Sequence, residues 1–543
     1  MIALSILIST ALSRPPASAL YRDASQTIAA RVQDLLERMT VPEKVAQLLQ
    51  PWETAGPTKV FEQYNATGLG AWYLSMTTLP PHDGGAPPPS KLCDAPQPQS
   101  PSPSPPTDIA LALVKARNAI QRLFVEKTRL GIPVTFIMET LHSGGPQCTI
   151  FPMPVNYASS WNASALEASA RVIADEARAC GTDRGFSPVI NLFPDPRYGR
   201  VAEGYSEDPH LTKVLGAAHL RGLQGGAMGG RYCTSFKLTC LLILTCSYDV
   251  FPLGPMTYLN NFTHAIVGTV KHYAGYGLTA GGIDGSPATI SEQRLREIYL
   301  EPWRYLADGR GLRSVMASQN MVNGRPMHVN KRLLTDVLRT EWGVTHALVE
   351  SDGADCIGAL QYGFHIAATR KEVAVMSLES GMDQDLGGVT FNMLVDAVSS
   401  NMTTEAQLDR ATYNVLASKF ASGIFDHPYT DESRVLKIDG EANRVMAREA
   451  AEESMVMLVN RPMPSRGHAT ALLPLQLGGG SSTADTRTTT MKKKMTKIAL
   501  VGPLADDKFN QCGQCERDSF LLLSFVRSFV HTVLRSSSVL DAV

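Results

Sequence analysis

The sequence predicts an α/β protein built around a (β/α) barrel of the TIM type. Three observations lead to this fold class. The 543 residues are 44% hydrophobic and 19% charged, the balance of a large globular protein. From about residue 25, amphipathic helix patterns alternate with short apolar runs, as in parallel βα units. Polar residues follow several of the apolar runs, where a barrel places its functional groups.

Five segments carry the apolar spacing of helices and alternate with strands. They are "QTIAARVQDLLERM", "IALALVKARNAIQRLFVEK", "ALEASARVIADEARAC", "PHLTKVLGAAHLRGL" and "KRLLTDVLRTEW". The fourth has Asp208 at an N-cap position and Pro209 in its first turn. The sequence "GLQGGAMGG" that follows lacks the Lys-Ser/Thr of a phosphate loop and is interpreted as the end of this helix.

Six short apolar runs are predicted as strands. They are "GLGAWYL", "PVTFIM", "FSPVINLF", "AIVGTV", "RSVMAS" and "HALVES". So many βα units within residues 25–430 favour a (β/α) barrel, with a doubly wound sheet as the alternative, because spacing alone does not separate the two folds.

Composition shifts divide the rest of the chain. Residues 1–24 are interpreted as a signal peptide or leader because a short apolar core precedes an A-x-A-like "ASA", although a positive n-region is missing. A Pro- and Ser-rich insertion at 80–107 is too polar to bury a core. Residues 232–264 hold three cysteines without periodicity. Residues 431–496 are predicted as a connecting helix and flexible linker, and 497–543 as the truncated start of a second α/β domain.

Charge and cysteine usage exclude several classes of function. The formal net charge of -1 provides no field to attract nucleic acid, and no apolar run is long enough to span a bilayer. The nine scattered cysteines do not form a dense disulfide framework and fix no compartment. Cys512 and Cys515 form an isolated CxxC, for which a zinc or redox role is a weak hypothesis. A small polar substrate fits this composition better.

The polar residues that follow the predicted strands are the candidate site. They include Glu139, Arg200, Lys271, His272 and Asp352, together with Arg197, Gln319 and Asn320. On one rim they would form a pocket suited to a polyhydroxylated ligand such as a sugar. Each also has a structural interpretation: Glu139 in a salt bridge with an arginine, Arg200 paired with Glu203 or Glu207, Lys271 solvated, and His272 hydrogen-bonded in the core.

Eight co-linear motifs resemble family 3 of the glycoside hydrolases, which contains β-glucosidases and β-xylosidases. They are "DLLERMTVPEKVAQL", "GIPVTFIMETLHSGG", "TIFPMPVNYASSWN", "FSPVINLFPDPRYGRVAEGYSEDPHL", "VGTVKHYAGYG", "TISEQRLREIYLEPW", "SVMASQNMVNGRPMHVNKRLLTDVLRTEWG" and "ALVESDGAD". The likeness covers residues 30–425, and "KIALVGPLADD" extends it into the family's second, α/β sandwich domain.

The resemblance implies a retaining, exo-acting β-glycosidase that acts on a β-glycoside or oligosaccharide. Asp352 matches the nucleophile of the family. Glu139, Arg200, Lys271 and His272 match residues around the sugar, and Met316 matches a residue that packs nearby. The cations beside Asp352 are expected to keep its pKa low enough for the carboxylate to stay ionised. The resemblance implies no metal and no cofactor.

Departures from the family pattern leave the sugar open between glucose, which is favoured, and xylose. Gly353 follows Asp352 where β-glucosidases carry Trp and many xylosidases carry Cys, and Gln319 stands where many members have Tyr. The sequence "KHYAGYG" differs from the "KHFPGHG" of the N-acetylglucosaminidase branch, which is therefore disfavoured. In "ALVESDGADC", solvent pairing or helix capping is expected to account for Asp355.

The acid/base residue is the main gap in this interpretation. In two-domain relatives a glutamate of the second domain supplies it, so this chain offers no residue for the role. We expect the segments at 232–264 and 511–543 to be untranslated sequence, which transcript reads spanning both segments would contradict. An inactive sugar-binding remnant, and a chain that fails to fold stably, are the rival hypotheses. Secretion is expected from the leader, and the oligomeric state is left open.

Overall fold

The structure is a computed structural model, and some segments of the chain fall outside its description. It describes residues 14–16, 18–51, 57–73, 107–226, 263–353, 355–462 and 473. The predicted insertion at 80–107 and the atypical segment at 232–264 lie outside these residues, apart from residues 107, 263 and 264. Most of the linker from residue 463, Cys512, Cys515 and the whole predicted second domain also lie outside, as does most of the leader.

The α-helices alternate with the strands along the chain. They are α1 (Ile28–Arg38), α2 (Val41–Gln47), α3 (Pro57–Tyr64), α4 (Thr107–Lys127), α5 (Pro154–Ser160), α6 (Ala163–Ala179), α7 (Pro209–Leu223), α8 (Glu292–Arg294), α9 (Glu301–Ala307), α10 (Cys356–Tyr362), α11 (Arg370–Ser380), α12 (Leu394–Ser399), α13 (Glu405–Ala421) and α14 (Glu441–Glu453). Two π-helical segments, Leu295–Tyr299 and Arg332–Glu341, complete the set together with short 3-10 turns.

The strands are short and mostly parallel. They are β1 (Leu49–Gln50), β2 (Ala71–Trp72), β3 (Thr135–Met138), β4 (Arg184–Gly185), β5 (Val267–Tyr273), β6 (Ser314–Ala317), β7 (Met321–Val322), β8 (Arg325–Pro326), β9 (Leu348–Glu350) and β10 (Asp385–Leu386). A six-stranded parallel sheet has the order β2-β3-β4-β5-β6-β9, and β1 pairs in parallel with β10. The β7–β8 pair is a separate antiparallel hairpin.

Local sequence accounts for most of the helix boundaries. The Asp208 carboxylate accepts a hydrogen bond from the His210 N–H at 2.8 Å, and Pro209 opens α7, as predicted. After α7, Gly225 and Gly226 adopt φ values of +83° and +77°, which confirms that "GLQGG" ends the helix. The predicted helix at 331–342 is present but is π-helical over Arg332–Glu341.

The six predicted strands need one correction. Five of the apolar runs contain β2, β3, β5, β6 and β9. The strand expected in "FSPVINLF" lies just before that run, since β4 is Arg184–Gly185. Within the run, Val189 forms a single bridge with Lys271. The strands β1 and β10, two residues each, were not predicted.

Two contacts connect the two parallel sheets. Glu350 at the end of β9 forms a bridge with Gln384, which precedes β10. On the other side, the Gly70 N–H before β2 donates to the Ala46 carbonyl before β1 at 2.9 Å. A Cβ on Gly70 would lie 2.0 Å from the Gln47 carbonyl oxygen, so a side chain here would force these segments apart.

A charged network lies among the strands and includes Glu350. Glu350 is fully buried, and its Oε2 accepts from Arg184 Nη2 at 3.0 Å and from Gln50 Nε2 at 2.9 Å. Its Oε1 accepts from the Thr269 hydroxyl at 2.8 Å. A buried carboxylate with these partners is a structural group of the sheet interior rather than part of a surface.

Apolar side chains pack in a large cluster between the strands and the helices, with Trp72, Trp303, Phe124 and Phe391 among its most buried members. In the part of the chain that the structure describes, no helix is long and apolar enough to cross a bilayer.

Candidate active site

The carboxyl ends of the parallel strands bring the predicted site residues together. Glu139 directly follows β3, and Lys271 and His272 lie near the end of β5. One residue, Ser351, separates Asp352 from the end of β9. Arg200 joins them from the long segment after β4, at the N-cap of the 3-10 turn Val201–Glu203. The strands point the same way, so these side chains share one rim.

A local irregularity in β5 lets two adjacent residues contribute to the rim. In a regular strand, successive side chains point to opposite faces. The pairing of β5 with β6 shifts register between Val270 and Tyr273. Both side chains are nearly fully buried, and each contacts a different member of the site.

Asp352 has one satisfied and one unsatisfied carboxylate oxygen. Its Oδ1 accepts from the Gly353 N–H at 2.8 Å, whereas its buried Oδ2 has no hydrogen-bond partner among the described residues. The nearest cationic or imidazole nitrogen recorded for Oδ2 is His272 Nε2, at 3.9 Å. The main chain at Asp352 is also fixed, because the Asp352 N–H donates to His328 Nε2 at 3.2 Å. The fixed main chain thus presents a free oxygen at the rim.

The cations act on Asp352 in the expected direction, but they are not the largest influence on its pKa. Burial is the largest influence and raises the pKa above the ordinary value for aspartate. Arg200, the Gly353 N–H, Lys271 and the Gln319 side chain act in the opposite direction but do not outweigh it. The carboxylate is therefore less stabilised, and more dependent on its cationic neighbours, than the sequence suggested.

Lys271 and Glu139 form a closed ion pair. The Lys271 ammonium lies 2.9 Å from Oε1 and 2.8 Å from Oε2 of Glu139, so it donates to both oxygens. Burial raises the pKa of Glu139, and the charge of Lys271 opposes this rise. The sequence allowed a structural salt bridge between Glu139 and an arginine, and a solvated Lys271. Instead, Glu139 and Lys271 pair with each other. Ordered charges of both signs at the rim can each bind a hydroxyl group.

Arg200 is fixed by several partners. Its Nε and Nη2 donate to Glu203 at 2.8 Å each, and its Nη1 donates to the Tyr276 hydroxyl at 3.2 Å. Burial alone would lower the pKa of Arg200, but Glu203 outweighs it and the pKa is raised. The predicted Arg200–Glu203 pair is confirmed, and the remaining Nη2–H reaches His272 Nε2 at 3.1 Å. Arg200 is therefore a permanent cation held in one orientation.

His272 is a neutral imidazole. Its pKa lies well below the usual value because of burial first, and then because of Arg200 and Lys271. Its Nδ1 lies 3.1 Å from Asn191 Oδ1, which also accepts the His272 backbone N–H at 2.9 Å. An acceptor at Nδ1 and the Arg200 donor at Nε2 assign the proton to Nδ1. The contact between His272 Nε2 and Asp352 is therefore not a salt bridge.

Met316 belongs to an apolar wall next to the polar rim. It is buried with Ile137, Phe186 and Leu386, and Tyr73 packs on the same cluster. The rings of Tyr73 and Phe186 stack at 6.4 Å, and the Lys271 ammonium lies 5.8 Å from the Phe186 ring centre. A surface with polar groups on one side and aromatic carbon on the other suits a sugar ring, which has hydroxyl edges and a C–H face.

Two other sequence candidates lie apart from this arrangement. Arg197 is exposed and pairs with Asp195, and Asn320 is buried and accepts from the Ser318 hydroxyl at 2.6 Å. Asp355 is partly exposed and pairs with Arg370 at 2.9 Å; it occupies the N-cap position of α10, but its side chain makes no cap hydrogen bond. Cys356 donates to the Gly353 carbonyl at 2.7 Å and so supports the loop that carries Asp352.

Sequence reasoning missed Asn191 and Tyr276 as members of the site. Asn191 fixes the imidazole, and the Tyr276 ring lies 4.7 Å from it. Asn191 occurs inside an apolar run and Tyr276 in a Gly-rich loop, so no periodic pattern singles them out. A polar residue within the "VINLF" run was the one available signal, because a buried amide needs a partner.

Among the described residues, the arrangement brings one carboxylate oxygen without a hydrogen-bond partner next to several ordered charged groups. Glu139 and Glu203, two further carboxylates at the rim, are each doubly hydrogen-bonded to a cation. Within the described residues, no group of three or more His, Cys, Asp or Glu side chains is arranged to hold a metal ion. The chemistry that this geometry supports is attack by the Asp352 carboxylate on an electrophilic carbon.

Comparison with known proteins gives an independent result. A family model described as "Glycosyl hydrolase family 3 N terminal domain" matches residues 111–417. A putative β-xylosidase of Formosa agariphila is 31% identical over 493 residues, which cover 90% of this chain and 55% of that protein. A periplasmic β-glucosidase of Salmonella typhimurium is 29% identical over 523 residues, covering 94% of this chain and 55% of that protein.

Solved structures agree with the sequence relatives. A β-glucosidase of Erythrobacter marinus superposes with a TM-score of 0.66 at 29% identity, over 82% of this chain and 52% of that one. A β-glucosidase of Listeria innocua in complex with gluconolactone has a TM-score of 0.63 at 27% identity, over 82% and 53% of the two chains. The chain thus spans about half the length of the proteins that it matches.

Proposed function

The chain belongs to family 3 of the glycoside hydrolases, and we propose that it is a retaining, exo-acting β-glycosidase whose nucleophile is Asp352. The observation that carries this proposal is the free Oδ2 of Asp352, buried at a rim of hydroxyl-binding groups. The favoured activity is that of a β-glucosidase, which removes terminal non-reducing β-D-glucose. A β-xylosidase is the second candidate because a curated relative at 31% identity carries that description.

We infer that the strands of the two parallel sheets close into one (β/α) barrel. Support comes from the Glu350–Gln384 bridge on one side and the Gly70–Ala46 hydrogen bond on the other, which connect β9 to β10 and β1 to β2. Eight parallel strands then share one carboxyl rim, as the fold requires. The residues from 497 onward are proposed to begin the family's second domain.

In the proposed reaction, Asp352 Oδ2 attacks the anomeric carbon of the bound glycoside. A new C–O bond forms while the bond to the leaving oxygen breaks, and the product is a glycosyl ester on Asp352. Water then attacks the same carbon and frees the carboxylate, so the configuration is retained overall. The raised pKa of Asp352 favours attack, because a poorly stabilised carboxylate gains more from forming the ester bond.

The cations and the imidazole are proposed to hold the sugar. The Lys271–Glu139 pair can donate to one hydroxyl and accept from its neighbour, and Arg200 can donate to another. His272 is neutral, so its role is a hydrogen bond rather than proton transfer at neutral pH. Contacts that tighten as the ring flattens toward the oxocarbenium-like transition state would lower the barrier.

The proton donor is proposed to lie outside the described residues. Retention requires a second carboxyl about 5 Å from the nucleophile, and Glu139 and Glu203 are committed to Lys271 and Arg200. Protonation of a poor leaving group therefore needs a further residue. If that residue is never supplied, the chain is a sugar-binding remnant with a competent nucleophile position, which is the rival hypothesis.

Aryl glycosides with acidic phenols as leaving groups separate these hypotheses, because such groups depart with little protonation. Rapid mixing of the full chain with 2,4-dinitrophenyl β-D-glucoside should release a burst of phenol equal to the enzyme concentration. Intact mass spectrometry should then detect a glucosyl adduct on the peptide that contains Asp352. Parallel reactions with the xyloside would identify the preferred sugar.

The matched control is Asp352→Asn, which keeps the size of the side chain and its acceptor for the Gly353 N–H. It should abolish both the burst and the adduct. A chain that shows no burst with either sugar, and that behaves like its Asp352→Asn variant, would exclude the proposed hydrolase and favour the remnant. The leader and the periplasmic relative support an extracytoplasmic location, which fits a substrate outside the cytoplasm.

A further inference from the structure

Two cysteine thiols face each other beneath helix α4. The Sγ atoms of Cys148 and Cys180 are 3.5 Å apart, and both side chains are fully buried. Both cysteines are reduced in this structure. We propose that Cys148 and Cys180 form a disulfide bond in the folded protein and that this bond fastens the loop after β3 to the end of α6. The proposal is independent of the glycosidase activity.

The main chain is already fixed on both sides of the pair. Cys180 is the C-cap of α6, and its N–H donates to the Glu176 carbonyl at 2.9 Å. On the other side, the N–H and hydroxyl of Thr149 donate to the Glu176 carboxylate at 2.6 and 2.9 Å. A disulfide needs an S–S distance of about 2.05 Å, so only a small approach of the two sulfurs is required. The fold therefore holds the two sulfur atoms close together before any bond forms.

A buried arginine, Arg117, lies beside the two cysteines. Arg117 is 1% exposed, and its Nη1 donates to the Cys180 carbonyl at 2.7 Å and to the Thr182 hydroxyl at 3.0 Å. Its Nε and Nη2 are buried with no hydrogen-bond partner among the described residues. Its charge interacts with both sulfurs, and it remains a cation although burial lowers its pKa to about 10. Arg117 thus holds the main chain at Cys180 in place through the Cys180 carbonyl.

The reaction is a thiol–disulfide exchange with a small-molecule or protein disulfide as the oxidant. One thiol loses its proton, and the thiolate attacks the oxidant to form a mixed disulfide and release one thiolate. The second cysteine thiolate then attacks the sulfur of its partner and expels the other half of the oxidant. The two cysteines lose two protons and two electrons in total, and the oxidant disulfide becomes two thiols.

The bond must form while the pair is accessible, which places it during folding. In the native chain the pair is covered by Ala110 and Val114 of α4 and by Val435. An extracytoplasmic compartment supplies disulfide oxidants, whereas the cytosol keeps thiols reduced. The loop that the bond would anchor begins at Glu139, so it would also restrict the segment that carries one of the proposed sugar-binding residues.

Peptide mapping tests the bond directly. The full chain is folded with a mixture of oxidised and reduced glutathione, alkylated with N-ethylmaleimide and digested with trypsin without reductant. The expected product joins residues 130–171 to residues 179–184 and is two hydrogen atoms lighter than the sum of the separate peptides. Recovery of both peptides in alkylated form, after folding under these oxidising conditions, would overturn the proposal.

Thermal unfolding provides a second measurement. The oxidised chain should melt about 5 °C above the dithiothreitol-treated chain, because the cross-link restricts the unfolded ensemble. The Cys148→Ala and Cys180→Ala variants should each lose this redox-dependent difference. The matched control, Cys512→Ala with Cys515→Ala, should keep it. A difference that persists in both single variants, or that disappears in the control, would assign the effect to other cysteines and reject the pair.

Discussion

Asp385, the first residue of β10, is expected to make the protein less stable as the pH rises. Its side chain is fully buried, and its Oδ1 has no hydrogen-bond partner among the described residues. Its Oδ2 accepts from the Phe391 N–H at 3.1 Å. Burial, reinforced by the charge of Asp355, raises its pKa from 3.8 to about 7. The protonated form is therefore the one that the folded chain accommodates.

The direction and size of the effect follow from proton linkage. Between pH 3.8 and 7 the folded chain holds a proton on Asp385 that the unfolded chain has lost, so the free energy of unfolding falls as the pH rises through this range. Above pH 7 the fall is complete. At about 1.4 kcal/mol for each tenfold change in proton affinity, the difference amounts to about 4 kcal/mol. Below pH 3.8 Asp385 carries no such penalty.

The Asp385→Asn variant removes this titration and keeps an acceptor for the Phe391 N–H. Its melting temperature should exceed that of the wild type by about 5 °C at pH 8, and the advantage should disappear at pH 4. Scanning calorimetry of both proteins at four pH values measures the difference, in which the titrations of all other groups cancel. An equal loss of stability at pH 4 and pH 8 would show that the Asp385 carboxylate is ionised and satisfied in the folded chain.

Three further predictions concern the site. Asp352→Asn should lower the steady-state rate on aryl glucosides about 10⁴-fold without lowering the melting temperature, because burial already disfavours the ionised carboxylate in the folded chain. Lys271→Met leaves Glu139 without its cation, so stability should fall by about 3 kcal/mol and kcat/KM by about 100-fold; calorimetry and kinetics on the same sample would show whether both losses occur. Arg200→Lys loses the two-point contact with Glu203 and part of the positive field at Asp352. The pKa of Asp352 should then rise further, so the acid limb of kcat/KM should move to higher pH, and an unmoved limb would mean that Arg200 does not act on Asp352.

Much of the helical framework was predictable because its signals are local. The cap at Asp208 and the glycines after Leu223 set the bounds of α7 through interactions within a few residues. The strands β1 and β10 were missed because each has two residues, too few for any periodic pattern to appear. Their pairing depends on contacts between residues more than 300 positions apart, such as Leu49 with Asp385.

The strand β4 shows why apolar runs mislead in a barrel-like interior. The run "FSPVINLF" attracted the strand prediction, yet the paired residues are Arg184 and Gly185. Arg184 can lie inside the sheet because Glu350 accepts from its guanidinium at 3.0 Å. Hydrophobicity alone cannot identify such a strand, because the partner that makes its burial tolerable comes from β9.

The structural and functional interpretations of the rim residues do not exclude each other. Arg200 pairs with Glu203 and also points a donor at His272, and Glu139 pairs with Lys271 at the same rim. A charge that must bind a hydroxyl in one orientation needs partners that hold it there, so the structural ion pairs are a precondition of a binding role.

Glu350 and Asp352 show what the sequence could and could not resolve about the nucleophile. They are two positions apart, so in an extended chain their side chains leave the same face. Glu350 lies within β9, and its carboxylate is surrounded by Arg184, Gln50 and Thr269. Asp352 lies beyond the last paired residue, and one of its oxygens has no such neighbour among the described residues. A carboxylate whose hydrogen bonds are all made by the protein has no lone pair left for substrate, whereas one at the strand end keeps it. The end of strand pairing between these two residues therefore separates a structural acid from a candidate nucleophile.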